Sequence, residues 1–158
     1  MIVIRPATLE DAVWLSSRLR SDDRQEVETG TGRSPEVIVP MSFQLSEDCY
    51  TVRRVVEGKL LPDPVALFGV APDLKAPARG IVWFLGTDAV RLCALSVIRE
   101  SGYWLNHMSR RYAEGLYNYA DSRNSLHLRW CQLTGFALGT PLEMNGVPFI
   151  PIHRPHHV

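Results

Sequence analysis

A helix with a marked beginning and a marked end is the feature that most constrains the fold of this chain. Asn124 precedes a stretch of helical spacing, and Gly135 follows Asn124 by eleven residues. Asparagine is a good N-cap, and glycine takes the left-handed conformation after a helix without a Cβ penalty. The apolar residues from Leu116 and from Phe136 flank this stretch. The segment therefore predicts a strand, a helix and a second strand in succession.

Length and composition favour one folded domain over residues 1–158. The chain has 46% hydrophobic residues, enough for one ordinary core. Its 17 basic and 17 acidic side chains cancel, so no net charge favours binding to nucleic acid. Three cysteines without metal-like spacing favour reduced thiols. With no signal-like N-terminus and no apolar run of membrane-spanning length, we expect a soluble chain of intracellular type.

The first half of the chain predicts a strand, two helices and two strands. Residues 2–5 suggest a strand that ends at Pro6. Thr8 with Asp11 resembles a capping box, and we expect its helix to run to about Val27. A second helix begins at Ser34-Pro35. Strands follow over residues 49–56 and 64–70.

The second half predicts a buried strand, a long helix, and the segment around Asn124. Residues 80–85 form a continuous apolar run, which is typical of a strand buried on both faces. Thr87-Asp88 is predicted to cap a long helix. This helix either breaks at Gly102 or continues through it. Asn145-Gly146 predicts a type I′ hairpin turn. The complete predicted order is β-α-α-β-β-β-α-β-α-β-β.

This order and the Asn124 to Gly135-Phe136 spacing resemble the GCN5-related N-acetyltransferase (GNAT) fold. The opening Ile4-Arg5-Pro6-Ala7-Thr8 resembles the usual start of such domains. Together they predict a single α/β domain with a mixed, mostly antiparallel, splayed sheet and helices on both faces. The resemblance implies acetyl-CoA as the ligand.

A narrower resemblance is to GNAT-like proteins of short-tailed bacteriophages, including the small internal virion protein of podoviruses. Four separate blocks carry it in order. They are Arg20-x-x-Asp23-Arg24-x-Glu26-Val27, Phe68-Gly69-Val70, Trp83-Phe84-Leu85-Gly86-Thr87 and Asp121-x-Arg123-Asn124-x-x-His127-x-Arg129-Trp130.

The GNAT resemblance implies where acetyl-CoA lies. Two central strands splay apart around it, and backbone N–H groups at the start of the long helix hold the pyrophosphate. It implies cofactor contacts from Leu85, Gly86, Thr87, Arg91 and Asn124. The family usually has a glycine-rich loop here, whereas this segment has one glycine.

The segment also carries Asp88 where the phosphates would approach, and like charges repel. Two interpretations stay open: a variant loop with Arg91 as the cation, or an ordinary capped helix. The composition favours the capped helix, and so predicts weak or absent binding of acetyl-CoA.

Catalytic candidates are sparse. The family often places a tyrosine acid seven residues after the asparagine, and Cys131 occupies that position here. Cys131 is a candidate general acid or, alternatively, small core filler. Residues 80–85 carry no carboxylate, so Asp88 is a candidate base, with Asp121 and His127 nearby.

Several polar groups have both a structural and a functional interpretation. His127, Arg129 and Trp130 are either a ligand contact or partly buried core residues around a solvated arginine. The charged run from Arg18 to Glu26 is interpreted as a solvated helix face of mixed sign. The histidines from His153 onwards suggest a flexible tail rather than a metal site.

Two functions remain open at this stage. One is a phage virion or assembly component with a degenerate acyl-CoA site, found in the host cytoplasm during infection or in the virion. Its partners would be other virion proteins or a second copy of the chain. The other is an active enzyme that transfers acetyl from acetyl-CoA to an amine. Seven aromatic residues either anchor a protein–protein interface or fill the core. They are Trp14, Trp104, Trp130, Tyr103, Tyr112, Tyr117 and Tyr119.

Overall fold

The computed structural model describes residues 1–156 as one eight-stranded sheet with helices on both of its faces. The strands are β1 (Ile2–Pro6), β2 (Asp48–Val56), β3 (Lys59–Pro72), β4 (Gly80–Gly86), β5 (Leu116–Asp121), β6 (Ala137–Leu138), β7 (Leu142–Met144) and β8 (Val147–Arg154). The helices are α1 (Leu9–Ser16), α2 (Ser21–Thr31), α3 (Pro35–Leu45), α4 (Ala94–Ser109) and α5 (Ser125–Leu133), with a 3₁₀ helix over Asp88–Cys93.

The sheet is mixed and mostly antiparallel, as the sequence predicted. Its order is β1-β2-β3-β4-β5-β8-β6, and β7 pairs with β8. β4 and β5 form the parallel pair, joined at Gly80–Leu116 and Ile81–Tyr117. Beyond these two positions the strands separate, and Asn118 Nδ2 donates to the carbonyl of Val82 at 2.7 Å. The resulting gap between β4 and β5 is the predicted splay.

Two hydrophobic cores lie on opposite faces of the sheet. One packs α4 and α5 against the strands through residues such as Val97, Leu105 and Cys131. The other packs α1, α2 and α3 through residues such as Leu15 and Val39. The predicted placement of helices on both faces is confirmed.

Several turns and caps follow directly from local sequence. Thr8 Oγ1 accepts from the Asp11 N–H at 3.2 Å, and the Asp11 carboxylate accepts from the Thr8 N–H at 3.1 Å. Asn145 and Gly146 have φ values of 51° and 79°, as a type I′ turn requires. The predicted capping box and hairpin turn are therefore confirmed.

Two predicted helices have different boundaries from those expected. The first helix was predicted to run to about Val27, but α1 ends at Ser16 and α2 begins at Ser21. The chain breaks there because the Arg20 N–H donates to the Gly86 carbonyl at 2.9 Å, which ties this corner to β4. The helix after Thr87 begins as a 3₁₀ helix rather than an α-helix, and α4 then passes through Gly102 without a break.

The first two residues of the predicted flexible tail, His153 and Arg154, belong to a strand. β8 continues to Arg154 and pairs with β5. His153 Nε2 lies 2.9 Å from the Glu114 carbonyl. Two prolines, Pro148 and Pro151, obscure the alternation in this short segment, so the strand was hard to recognise from sequence. His157 lies outside the described residues.

Most of the aromatic residues fill the core. Trp104 and Trp130 pack against the main core, and Tyr112 is 2% exposed. Tyr103 and Tyr119 are 64% and 39% exposed. No helix within residues 1–156 has the length and apolar character needed to cross a membrane.

Candidate functional site

A buried polar network joins α2 to the start of α5 at the open end of β4 and β5. Its members are Arg20, Asp23, Glu26, Asn124 and His127, and we call them the α2–α5 network. Arg20 and Asp23 are 5% and 3% exposed. The interpretation of this run as a solvated face is therefore wrong for these two residues.

Arg20 and Asp23 form the charged half of the network. Arg20 Nε and Nη2 donate to the two Asp23 carboxylate oxygens at 3.0 and 2.6 Å. Such a bidentate pair satisfies two buried charges at once. The second Asp23 partner is the N–H of Gly86, at 2.8 Å from Oδ2. Asp23 thus fixes α2 against the end of β4.

Asn124 is both the N-cap of α5 and the centre of the network. Its Oδ1 accepts from the His127 N–H at 3.3 Å and from Arg20 Nη2 at 2.8 Å. Its Nδ2 donates to Asp23 Oδ1 at 3.0 Å and to Glu26 Oε2 at 2.8 Å. All the hydrogen-bonding capacity of the amide is in use. A cofactor contact from this side chain, which the sequence predicted, would have to replace one of these bonds.

Glu26 and His127 form the second ion pair of the network. His127 Nδ1 lies 3.0 Å from Glu26 Oε1, and each side chain is 13% exposed. Burial of the imidazole opposes its positive charge, but the Glu26 carboxylate and the neighbouring Cys131 side chain together outweigh burial and raise the pKa of His127 well above 6.5. The ring is therefore protonated at neutral pH and donates from Nδ1. The Cys131 side chain is the second polar neighbour of the imidazole.

Two cavities lie on opposite faces of the gap between β4 and β5. Cavity A, of about 160 Å³, lies on the α4–α5 face. Its walls are mainly apolar: Phe84, Val90, Ala94, Ile98, Leu126, Trp130 and Leu133, with Arg20, Asp23, His127 and Arg129 as its polar members. The His127, Arg129 and Trp130 group thus meets on one cavity wall.

Cavity B, of about 290 Å³, lies on the α2–α3 face. Glu26 and His127 are the charged residues of its wall, which is otherwise largely apolar and includes Trp83, Leu85 and Phe149. Phe84 and His127 line both cavities. A molecule in cavity A and a molecule in cavity B would therefore meet at His127.

The turn after β4 uses its own backbone donors. The Gly86 N–H donates to Asp23, and the Thr87 N–H donates to the Val65 carbonyl at 2.9 Å. The Ala89 N–H donates to Thr87 Oγ1 at 3.3 Å, and the Val90 N–H donates to the Thr87 carbonyl at 3.1 Å. A pyrophosphate would need such donors free. Cavity A suits a narrow, largely apolar ligand, and the four N–H groups of this turn are already bonded within the protein, whereas the long helix α4 begins further along, at Ala94, without a side-chain N-cap bond.

The predicted site residues do not all meet at the gap. Leu85 lines cavity B, and Gly86 and Thr87 form the turn beside it. Asp88 and Arg91 are exposed, and Asp88 faces a separate depression beside Trp14 and Pro62. The turn rotates both side chains outward, which removes them from the cavities. Neither side chain lines cavity A or cavity B, and the roles of Asp88 as base and Arg91 as cation stay predictions.

Cys131 lies in the core behind the site. Its side chain is fully buried among the residues of the α4–α5 core. All three cysteines are unpaired. The structure leaves the predicted acid role of Cys131 untested, but it brings His127, one helical turn earlier, to the cavity walls.

The overall fold can be compared with solved structures. Neither a family model nor a curated protein sequence matches the chain. An acetyltransferase of the GNAT family from Streptococcus pneumoniae aligns with a TM-score of 0.65 at 13% identity, over 99% of this chain and 100% of that one. The chain has the GNAT acetyltransferase fold.

Two further structures support this conclusion. AAC(6′)-Ib, in complex with ribostamycin and coenzyme A, aligns with a TM-score of 0.68 at 14% identity, over 98% of this chain and 93% of that one. The ribosomal-protein-S18-alanine N-acetyltransferase from Escherichia coli aligns with a TM-score of 0.63 at 13% identity, over 100% and 96%. At these identities the likeness shows the fold alone. It gives no support to the narrower phage resemblance.

Sequence reasoning missed the acidic half of the site. Asp23 and Glu26 stand in the same quoted block as Arg20, yet their spacing in a run of mixed charge suggested a solvated surface. One sequence signal was available: the block from Arg20 to Val27 and the block from Asp121 to Trp130 belong to the same narrower resemblance. Among residues 1–156 no group of three or more histidine, cysteine or acidic side chains is placed to bind a metal ion.

Proposed function

We propose that this chain is an N-acyltransferase that transfers an acetyl group from a thioester donor to an amine. The observation that carries the proposal is the pair of cavities that share Phe84 and His127 through the gap between β4 and β5. Cavity A would hold the thioester arm of acetyl-CoA, and cavity B would hold the amine. The fold shared with acetyltransferases supports the proposal.

The Glu26–His127 pair is suited to move the proton that this reaction must move. The bound ammonium first releases one proton to solvent through Glu26. The neutral nitrogen then bonds to the thioester carbonyl carbon, the C–S bond breaks, and one proton passes from nitrogen to sulfur. Glu26, on the wall of cavity B, accepts the proton from the attacking nitrogen. His127 Nε2–H, at the junction, donates to the leaving sulfur. Exchange with solvent returns both groups to their starting charge.

The charge of the wall also selects the acceptor. Glu26 is the acidic residue that faces cavity B, and aromatic and aliphatic side chains form most of the rest. A carboxylate in an apolar cavity attracts a cationic amine, and the apolar walls favour an amine with hydrophobic groups. We therefore expect a primary amine attached to an apolar body as the acceptor.

The test is a turnover assay with acetyl-CoA and a panel of primary amines. Release of free thiol and a mass spectrum of the acetylated amine report the reaction. His127→Gln and Glu26→Gln should each lower kcat by about 100-fold or more, as loss of a general acid or base does. A folded wild-type protein that acetylates none of the amines, including apolar ones, would contradict the proposal.

A second candidate is a non-catalytic protein of the same fold, such as the virion or assembly component implied by the phage resemblance. One observation favours it: the turn after β4 satisfies its own N–H donors instead of offering them to a phosphate. Detection of this chain in purified virions, together with no heat of binding for any acetyl thioester, would support this candidate over the enzyme.

A further inference from the structure

The α5 side of the mouth of cavity A is apolar and basic. Leu126, Arg129 and Leu133 line the cavity and recur at intervals of three and four residues, so they share one face of the helix. The two leucines are 40% and 54% exposed, and Arg129 is also exposed. The residues of α5 include no acid. This side of the mouth therefore offers apolar surface and a positive charge.

The α4 side of the mouth has the same character. Ala94 and Ile98 line the cavity, and Leu95 and Arg99, each one position further along the helix, lie beside them. Leu95 is 77% exposed, and Arg99 is exposed. Glu100, the acidic residue of this helix, follows Ile98 by two positions and so lies about 200° around the helix axis, on the opposite side. Its charge does not offset that of the arginines.

Charge and apolar area together decide what kind of molecule fits this border. A second copy of the chain, in a two-fold dimer, would bring arginine against arginine. An anionic membrane suits the arginines, but it would seal the mouth against a donor that arrives from water. The nucleotide of free acetyl-CoA suits the arginines but leaves the leucines in water. An acidic protein that carries the thioester suits both, because its carboxylates pair with the arginines and its apolar groups cover the leucines.

We propose that the donor is presented by a small acidic protein that carries the acyl group as a thioester on a pantetheine arm. This inference rests on the proposed function, in which cavity A holds the thioester arm. The protein covers the border formed by Leu95, Arg99, Leu126, Arg129 and Leu133 while its arm enters the cavity. The C–S bond breaks as the acetyl carbon bonds to the amine, and the thiol, with the proton from the amine, stays on the carrier. Free acetyl-CoA shares the arm and enters the same cavity without the apolar contacts at the border.

The test compares two donors in the turnover assay. One is S-acetylpantetheine, the arm alone, and the other is an acidic acyl carrier protein that holds acetyl on its phosphopantetheine arm. We expect kcat/KM for the carrier to exceed that for the free arm by at least about tenfold at low salt, and the excess to shrink as salt is added. Arg99→Glu should lower kcat/KM for the carrier by at least about tenfold and leave that for S-acetylpantetheine within about twofold.

Arg110→Glu is the matched control. Arg110 is also an exposed arginine, at the C-terminal end of α4 and about 16 Å from Arg99 along the helix axis. The same reversal of charge at that distance from cavity A should leave kcat/KM for both donors unchanged. A loss of carrier turnover that is equal in the two variants would show that only the net charge of the chain matters.

The outcomes separate this inference from the proposed function. A carrier that is used no faster than S-acetylpantetheine, or an equal loss for both donors in Arg99→Glu, overturns the inference and leaves the acyltransferase standing. Binding of the chain to anionic phospholipid vesicles, or a stable dimer that Leu95→Asp disrupts, assigns the border to a membrane or to a second copy and overturns the inference as well. Turnover of neither donor overturns both.

Discussion

At the scale of single residues, Gly135 shows how one backbone angle ends α5. Its φ is 92°, which side-chain-bearing residues rarely adopt, while an added Cβ would meet Arg154 Nε at an ordinary 3.6 Å. Strain rather than crowding therefore sets the cost, and Gly135→Ala should lower the free energy of unfolding by about 1 kcal/mol.

Gly102→Ala is the matched control. Gly102 lies within α4 with open space at its Cβ, so that change should stabilise the protein by up to about 1 kcal/mol. Urea unfolding of both variants measures this, and a shift of the same sign in both would contradict it.

Asn124 gives a sharper residue-scale prediction because its amide faces two carboxylates. Asn124→Asp replaces the Nδ2 donor to Asp23 and Glu26 by an oxygen and brings a third buried negative charge to the network. We expect a loss of about 3 kcal/mol or more in the free energy of unfolding. Asn106→Asp is the control: Asn106 is exposed and accepts from Arg154 Nη2 at 2.7 Å, so this change should cost nothing. Equal unfolding midpoints for the two variants would show that the Asn124 network is not buried as described.

At the scale of helices and strands, sequence reasoning succeeded where local chemistry decides the structure. The N-cap at Asn124, the capping box at Thr8 and the turn at Asn145-Gly146 depend on neighbouring residues alone, and all three were predicted. The boundary between α1 and α2 was missed because it depends on a bond from Arg20 to Gly86, distant in sequence. The acidic half of the site was missed for the same reason. Burial of a charge is visible only when its partner on another element is known.

The contact between α2 and α5 predicts a pH dependence. The raised pKa of His127 means that the ring binds its proton more tightly in the folded chain than in the unfolded chain. The Glu26–His127 pair thus stabilises the fold in full below pH of about 6.5, and this stabilisation is lost as the pH rises through the pKa of the folded protein. Urea unfolding should show that His127→Gln costs more at pH 6 than at pH 10. A difference between wild type and variant that is the same at both pH values would contradict the ion pair.

At the scale of the whole molecule, the splayed sheet gives two cavities access to one titratable side chain, His127. The gap exists because β4 and β5 pair at two positions only, while β5 pairs with β8 along its whole length. The fold and its splay were predictable from element order and resemblance, since they follow from where strands and helices begin. The contents of the cavities were not predictable, because residues from α2, α5 and the β7–β8 hairpin meet there only in three dimensions.

The central claim, that cavity A holds the donor and cavity B the acceptor, is tested most directly by filling each cavity in turn. Ala94→Phe places a ring in cavity A, and Ser42→Phe places the same ring in cavity B. Both positions are helical and partly exposed, so the two variants should fold alike. Titration with acetyl-CoA should show at least about tenfold weaker binding for Ala94→Phe, or about 1.4 kcal/mol, and no change for Ser42→Phe. Equal affinities for the two folded variants, or a loss confined to Ser42→Phe, would contradict the account.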